Sequence, residues 1–401
     1  MHHAVSPKAD ANSKESDVLL WFNIVWRGFP IMKKITLSGY YGFDNAGDEA
    51  VLYAIINSLR KLRADIQITV LSNNPAHTAQ LYNVNAVNRW KIAEVYRAIR
   101  KSDLLISGGG SLLQDVTSKN SILYYLGVIG IAKFLKKPVF IYSQGIGPVN
   151  YKRNRLLVGK MLNKVHAITV RDPQSRQDLI DMGVKKEITV SVDPVLAIEP
   201  EDVEISHGRE LLASANVNNI DGKILGISLR PWATDENNFQ AIAQACDTLA
   251  QQGWQIIFIP MHFPSDVQIA EKIQSLMRNP SHVLKENYTP YQTLCLYKTV
   301  DLVMGMRLHS LIMAAVLEKP MIAISYDPKV DRFMELINRP EILPIDNLKT
   351  QQILDLVQNT WENRDGFVKH LKKTIPPLRT QALIPARMVV EILGQDFLKR
   401  N

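Results

Sequence analysis

The sequence predicts an α/β protein made of two doubly wound parallel sheets, one in each half of the chain, facing a cleft. Three observations carry that prediction. From Met32 onward, short and nearly unbroken apolar runs alternate with amphipathic stretches, the pattern of βαβ units whose sheet is covered on both faces. The scheme runs twice, and the interruption, Pro194–Gly222, is charged, polar and without a strong period. Glycine-rich or basic segments follow most of the apolar runs, and the carboxyl ends of strands are where open α/β sheets bind ligands.

In the first half, the strands read as Ile35–Ser38, Ile66–Leu71, Leu104–Ser107, Val139–Ser143, Ala167–Val170 and Ile188–Val192. The helical stretches between them include Glu49–Arg63, Ile92–Arg100, Ile122–Lys136 and Arg153–Lys164. In the second half, Ile224–Leu229, Gln255–Ile259, Leu302–Met304 and Met321–Ile324 read as strands. Phe239–Gln252, Val267–Met277, His309–Leu317 and Val330–Ile337 have helical periods, and the last stretch is helical with breaks expected at Pro376-Pro377 and Pro385. The domains therefore read as 32–200 and 201–375, with a C-terminal helix at 376–401. Residues 1–31 read as an extension, disordered or an upstream start. Its apolar run Val18–Trp26, rich in Trp and Phe, also suits an interfacial anchor.

Composition narrows the function classes. With 46% apolar and 21% charged residues, a disordered, collagen-like or low-complexity chain is excluded. Two cysteines without a CxxC pair exclude a disulfide scaffold and a Cys-based zinc site, and they suit a reducing compartment. No apolar run reaches the ~18 residues of a membrane span. The net charge of +8 favours anionic partners. Nucleic acid is not expected, because no basic run is interleaved with aromatics.

The loops after the strands hold the candidate site. Ser38–Glu49 carries three glycines, Asp44 or Asn45 as a helix cap, and Tyr41 and Phe43 as aromatics suited to a sugar face. Its glycine spacing is neither GxGxxG nor a P-loop. Gly108-Gly109-Gly110 and Gln144-Gly145 follow two further strands, and Arg171 follows another. In the second half, Arg230, His262, Arg307, His309 and Lys329 all fall just beyond strands. So many cations at one sheet edge suggest a small multivalent anion carrying phosphate and carboxylate.

These motifs resemble the polysaccharide pyruvyltransferase family, in particular its CsaB-type enzymes of bacterial cell-wall polymers. The matching segments are GYYGFDNAGDEA from Gly39, SGGGSLLQ from Ser107, SQGIGP from Ser143, VRD from Val170, GISLRPW from Gly226, GMRLHS from Gly305 and KPMIAISYDPK from Lys319. The resemblance implies a glycosyltransferase-B type fold of two Rossmann-like domains. It implies transfer of pyruvyl from phosphoenolpyruvate to a sugar as a 4,6-ketal. In the CsaB-type branch the acceptor is β-ManNAc of a lipid-diphosphate-linked precursor, and the product polymer holds S-layer proteins. The resemblance maps the family's donor-binding residues onto Arg307, Leu308 and His309, its basic residue onto Lys329 and an arginine onto Arg171; with the chemistry below, Arg307, His309 and Lys329 are the expected catalytic residues. Arg171, Arg230, His262, Leu308 and Ser310 would lie on the donor side; Tyr41, Phe43, Asp44, Asn45, Gly109 and Gln144 would lie on the acceptor side. No metal or cofactor is expected, phosphoenolpyruvate being the donor substrate. The implied place of action is the cytoplasm, in peripheral contact with the anionic inner face of the membrane.

Ketal formation needs a proton at C3 of the enol, for which His309 is the first candidate. Asp44 or Glu49 could accept the hydroxyl proton. Two other readings stand beside this one: a nucleotide-sugar-dependent glycosyltransferase of the same fold, and a non-catalytic polymer-binding relative.

Overall fold

A computed structural model of the chain describes residues 32–116, 121–217, 222–232 and 236–398; the reading of residues 1–31 lies outside them. The first sheet has seven parallel strands in the order β3-β2-β1-β4-β5-β6-β7. These are β1 (Lys33–Ser38), β2 (Ile66–Ser72), β3 (Asn85–Asn88), β4 (Leu104–Gly108), β5 (Val139–Gln144), β6 (Ala167–Val170) and β7 (Ile188–Val190). Their crossovers are helices α1 (Ala46–Leu62), α2 (Pro75–Tyr82), α3 (Ile92–Lys101), α4 (Ser121–Phe134), α5 (Lys152–Leu162) and α6 (Pro173–Asp181). The order reverses between β1 and β4, so right-handed crossovers send α1 and α2 to one face and α3–α6 to the other. The core under α3–α6, with Val95, Ile99, Ile129, Val158 and Leu179, is accordingly separate from the core under α1.

The interruption between the two halves contains α7 (Ile205–Ser214), whose Gly208 lies so close to the helix Pro290–Thr299 that a Cβ there would meet the Cys295 carbonyl oxygen at 2.2 Å. The second sheet has six parallel strands in the order β10-β9-β8-β11-β12-β13. They are β8 (Lys223–Ser228), β9 (Trp254–Phe258), β10 (His282–Val283), β11 (Leu302–Gly305), β12 (Met321–Ser325) and β13 (Ile342–Pro344). Helices α8 (Glu236–Gln251), α9 (Ser265–Leu276), α10 (Pro290–Thr299), α11 (Leu308–Val316) and α12 (Pro328–Leu336) connect them, and α13 (Thr350–Glu362) covers one face. The three strands the pattern did not predict, β3, β10 and β13, are short and lie at sheet edges. Edge strands need no long apolar run because one side and part of each face stay wet.

One continuous core joins α1 of the first half to α10 and α11 of the second. The two closing helices, α14 (Arg364–Ala382) and α15 (Ile384–Leu398), return to it, and α15 packs on α1. The expected break at Pro376-Pro377 does not occur: α14 runs through both prolines. Both are exposed, and so are Lys372 and Lys373, whose carbonyls lose their helical partners there. Water can take over those bonds. The opposite stripe of Phe367, Leu371, Ile375, Leu378 and Ala382 is buried and holds the helix in place. Pro385 instead opens α15 in its first turn, where proline is tolerated.

Because that buried stripe has to outweigh two prolines, Leu371→Ala is expected to cost about 2–5 kcal/mol of folding stability. Urea unfolding followed by circular dichroism checks it; a loss below about 1 kcal/mol would mean that α14 is held by something other than its apolar stripe.

Candidate active site

The carboxyl ends of the two sheets meet across the domain boundary, and backbone bonds fix their register. Ala46 N–H donates to the Met261 carbonyl at 2.7 Å, and Phe263 N–H donates to the Asp44 carbonyl at 3.2 Å. Asn287 Nδ2 donates to Asp44 Oδ1 at 2.8 Å. Asn45 caps α1 through Gly47 and Asp48 N–H groups. Asp44 has a left-handed backbone and is exposed, so it makes the turn into that helix and bonds to the other domain.

The centre of the site is a charge cluster drawn from four elements. His309, in the first turn of α11, points its Nε2 at Asp193 Oδ2, 3.6 Å away. Its Nδ1 presses on the start of α1 so closely that a Cβ on Gly47 would sit 2.4 Å from it. Arg171 reaches the same Asp193 oxygen at 3.5 Å from the other side and donates to Ser111 Oγ at 3.1 Å. Asp193 is buried, and burial alone would raise its pKa. The charges of His309 and Arg171 and the Val195 N–H outweigh that and hold the carboxyl below its usual range. Asp48 completes the cluster. Burial pushes its carboxyl up to about 6, with Glu49 and Asp193 adding to the rise and His309 and Arg171 opposing it.

A cationic band runs beside this cluster along the second sheet. Arg307 is the N-cap of α11, and no side chain caps that helix, so its first N–H groups suit an anion. The Arg307 guanidinium is held by both oxygens of buried Asp266, Nε at 2.9 Å from Oδ2. The same Asp266 oxygen accepts the Met261 and His262 N–H groups. His262 Nδ1 is 3.0 Å from Ser265 Oγ. Burial, and then the Arg307 charge, lower the His262 pKa. Arg230 lies over the Tyr326 ring at 4.5 Å and donates to its hydroxyl at 2.7 Å. Lys329 approaches the same ring at 5.4 Å and pairs with Asp327 at 3.3 Å.

The structure rearranges the expected acceptor side. Tyr41 is buried, 1% exposed, with its hydroxyl donating to the Gly108 carbonyl at 2.6 Å; it belongs to the core, not to an exposed sugar platform. The residue beside it, Tyr40, is the exposed one and stacks on Phe43 at 4.1 Å. Trp90 stands edge-on to Phe43, and the guanidinium of buried Arg89 lies within 5.4 Å of Phe43, Trp90, Tyr124 and Tyr125. Gly109 turns with φ +77° against Val51, so close packing dictates glycine there. Gln144 is buried and donates to Ser107 Oγ at 2.9 Å. On the donor side, Leu308 and Ser310 turn inward: Leu308 enters the shared core, and Ser310 Oγ donates to the Arg307 carbonyl. Glu49, one of the two expected bases, is occupied by the Gly42 N–H and the Tyr82 hydroxyl.

Sequence reasoning missed Asp48, Asp193 and Asp266. Asp48 sits within the Ser38–Glu49 segment beside more conspicuous candidates, and Asp193 and Asp266 follow no glycine loop. An Asp just before a proline and an Asp in a helix's first turn were the available signals, and both are commonplace caps.

A fold of two facing parallel-sheet domains, with the site between their strand ends, defines a glycosyltransferase-B type protein. Solved structures agree at the level of fold. Anabaena HepE in complex with UDP-glucose aligns with a TM-score of 0.60 at 13% identity, covering 90% of this chain and 99% of that one. UDP-GlcNAc 2-epimerase from Neisseria meningitidis bound to UDP-GlcNAc gives 0.61 at 14%, covering 91% and 100%. Residues 45–328 match the polysaccharide pyruvyl transferase family, and the chain belongs to that family; it is a transferase enzyme. The amylovoran biosynthesis protein AmsJ of Erwinia amylovora is 19% identical over 395 residues, covering 85% of this chain and 95% of that one.

Asp48 supplies a pH test. Its folded pKa of about 6 lies above the ordinary 3.8, so the folded state binds its proton more tightly than the unfolded chain does. That contribution to stability is full below about pH 4 and is lost as pH rises through about 6. Asp48→Asn is therefore expected to match wild type near pH 4 and to exceed it by ~1–3 kcal/mol near pH 7.5. Urea melts at both pH values check this; a gap that does not widen with pH would place Asp48 in the ordinary carboxylate range.

Proposed function

We propose that the chain moves the pyruvyl group of phosphoenolpyruvate onto two hydroxyls of one sugar, closing a 4,6-ketal. The acceptor in this reading is a β-ManNAc residue of a lipid-diphosphate-linked cell-wall polymer precursor, met at the inner face of the membrane. The observation that carries the reading is the juxtaposition of a cationic band, Arg230, Arg307 and Lys329 with His262 beside them, with a histidine and a carboxylate from opposite domains, His309 and Asp48.

The chemistry divides along that line. A guanidinium held flat by Asp266 keeps a fixed fork for a carboxylate or phosphate, and Arg230, Lys329, Arg171 and the α11 N–H groups share the remaining negative charge. Protonated His309 gives its proton to C3 of the enol, leaving an oxocarbenium centre at C2. A sugar hydroxyl oxygen bonds to C2 while its proton passes to the Asp48 carboxylate. A carboxyl group with a pKa of about 6 can take that proton near neutral pH and release it again. The C2–O bond to phosphate then breaks, the phosphate takes the proton held by Asp48 and leaves toward Lys329 as hydrogen phosphate, and the second hydroxyl bonds to C2 and closes the ring, its proton returning to the His309 imidazole. Tyr40, Phe43 and Trp90 offer ring faces to the sugar in place of Tyr41, with Asp44 and Asn45 beside them. Incubation with phosphoenolpyruvate and lipid-linked disaccharides should give a product heavier by one pyruvyl ketal in mass spectrometry. Thermal stabilisation by UDP-sugars but not by phosphoenolpyruvate would instead select the glycosyltransferase reading.

Two substitutions separate binding from chemistry. Arg307→Lys keeps the charge but loses the fork, and the apparent affinity for phosphoenolpyruvate is expected to fall about tenfold or more, ~1.4 kcal/mol. Unchanged KM would remove Arg307 from the donor site. His309→Asn is expected to lower kcat by ~10²–10⁴-fold with donor binding largely kept, and to abolish deuterium incorporation into the pyruvyl methyl in heavy water. Binding and turnover falling together would make His309 a donor ligand, with His262 the next candidate acid.

A further inference from the structure

The charge of the chain is not evenly spread. The segments Trp90–Lys101, Ser121–Lys137 and Tyr151–Lys164 hold twelve basic residues and one carboxylate, Glu94. Their surplus of eleven exceeds the +8 of the whole chain, so the remainder is net acidic. These segments are α3, α4 and α5 with their ends, adjacent helices on one face of the first sheet. Nine of the twelve basic residues are exposed, and the other three are partly so. Among the described residues, Lys91 with Glu94 is the one ion pair made by any of them.

The same face is apolar where it is not basic. On α3, Ile92 is 75% exposed and Tyr96, one turn on, shares its stripe. On α5, Leu156 is 62% exposed between Lys152 and Lys160 on one stripe. The helix between them, α4, has one charged residue, Lys133, and ends on Phe134, 79% exposed. Exposed Trp90, Val116 and Tyr151 stand at or ahead of the N-terminal ends of these helices, the ends at which the strands open to the site.

We propose that the α3–α4–α5 face is a docking surface for an anionic lipid bilayer. Basic side chains meet lipid phosphates, and Ile92, Phe134 and Leu156 enter the boundary between headgroups and acyl chains. A nucleic acid would use the cations but offers nothing to bare aliphatic side chains, which is why the bilayer is the better fit. The proposal names the surface for the membrane contact in the functional reading above. It stands on charge and exposure alone, so it can fail while pyruvyl transfer holds.

The test uses the full chain and vesicle flotation. Wild type should bind vesicles containing phosphatidylglycerol and not those of phosphatidylcholine alone, and salt should weaken the binding. Lys152→Glu/Arg153→Glu/Lys160→Glu should lower partitioning by roughly 10²-fold, at about 1 kcal/mol per basic residue, while ketal formation on a water-soluble acceptor stays at the wild-type rate. A second measurement does not depend on that variant. Leu156→Cys carrying an environment-sensitive fluorophore should shift to the blue on anionic vesicles, the two native cysteines being buried. Binding unaffected by the charge reversal, a label that stays in water, or duplex RNA displacing the vesicles would each overturn the assignment.

Discussion

The site depends on one buried carboxylate. Asp193 lies between Arg171 of the first domain and His309 of the second. A carboxylate taken out of water is costly unless it is paired, so its position requires both partners. Each domain contributes one partner, the Arg171 guanidinium and the His309 imidazole, and the cost of separating them from Asp193 ties the site to the meeting of the two halves. Gly47 matters for the same reason: without a side chain there, α1 can start directly against the imidazole.

A similar economy governs the second domain. Asp266 accepts the Met261 and His262 N–H groups and holds both arms of Arg307. One buried carboxylate thus fixes a loop, the backbone of one candidate ligand and the side chain of another. Arginine so held loses little freedom when an anion arrives, which favours tight and geometrically selective binding. Tyr326 plays the corresponding part for Arg230 and Lys329, offering one ring to both cations.

The fold by itself is silent on the reaction. Structures that share it at 13% and 14% identity were solved with UDP-glucose and UDP-GlcNAc, and one architecture hosts many chemistries. Membership of the polysaccharide pyruvyl transferase family narrows the reaction to pyruvyl transfer in polysaccharide synthesis. The side chains at the strand ends are what distinguish this chain within the architecture.

The sequence by itself determined the alternation of strand and helix, the division into two sheets, and the cations after the strands of the second. Those features are local: buried parallel strands must be apolar throughout, and residues just past them face the cleft. Only the tertiary structure decided which neighbours became partners. Tyr40 and Tyr41 are equivalent in pattern, yet a one-residue difference in a turn buries Tyr41 under Gly108 and leaves Tyr40 exposed. Pro376 and Pro377 read as a break, yet their position on the wet side of α14 lets the helix continue. Asp48, Asp193 and Asp266 carry no local mark, because the groups that give them meaning lie on other elements, for Asp48 and Asp193 across the domain boundary. Burial and Coulomb energy depend on distances in space, and those distances do not exist until both sheets have formed and met.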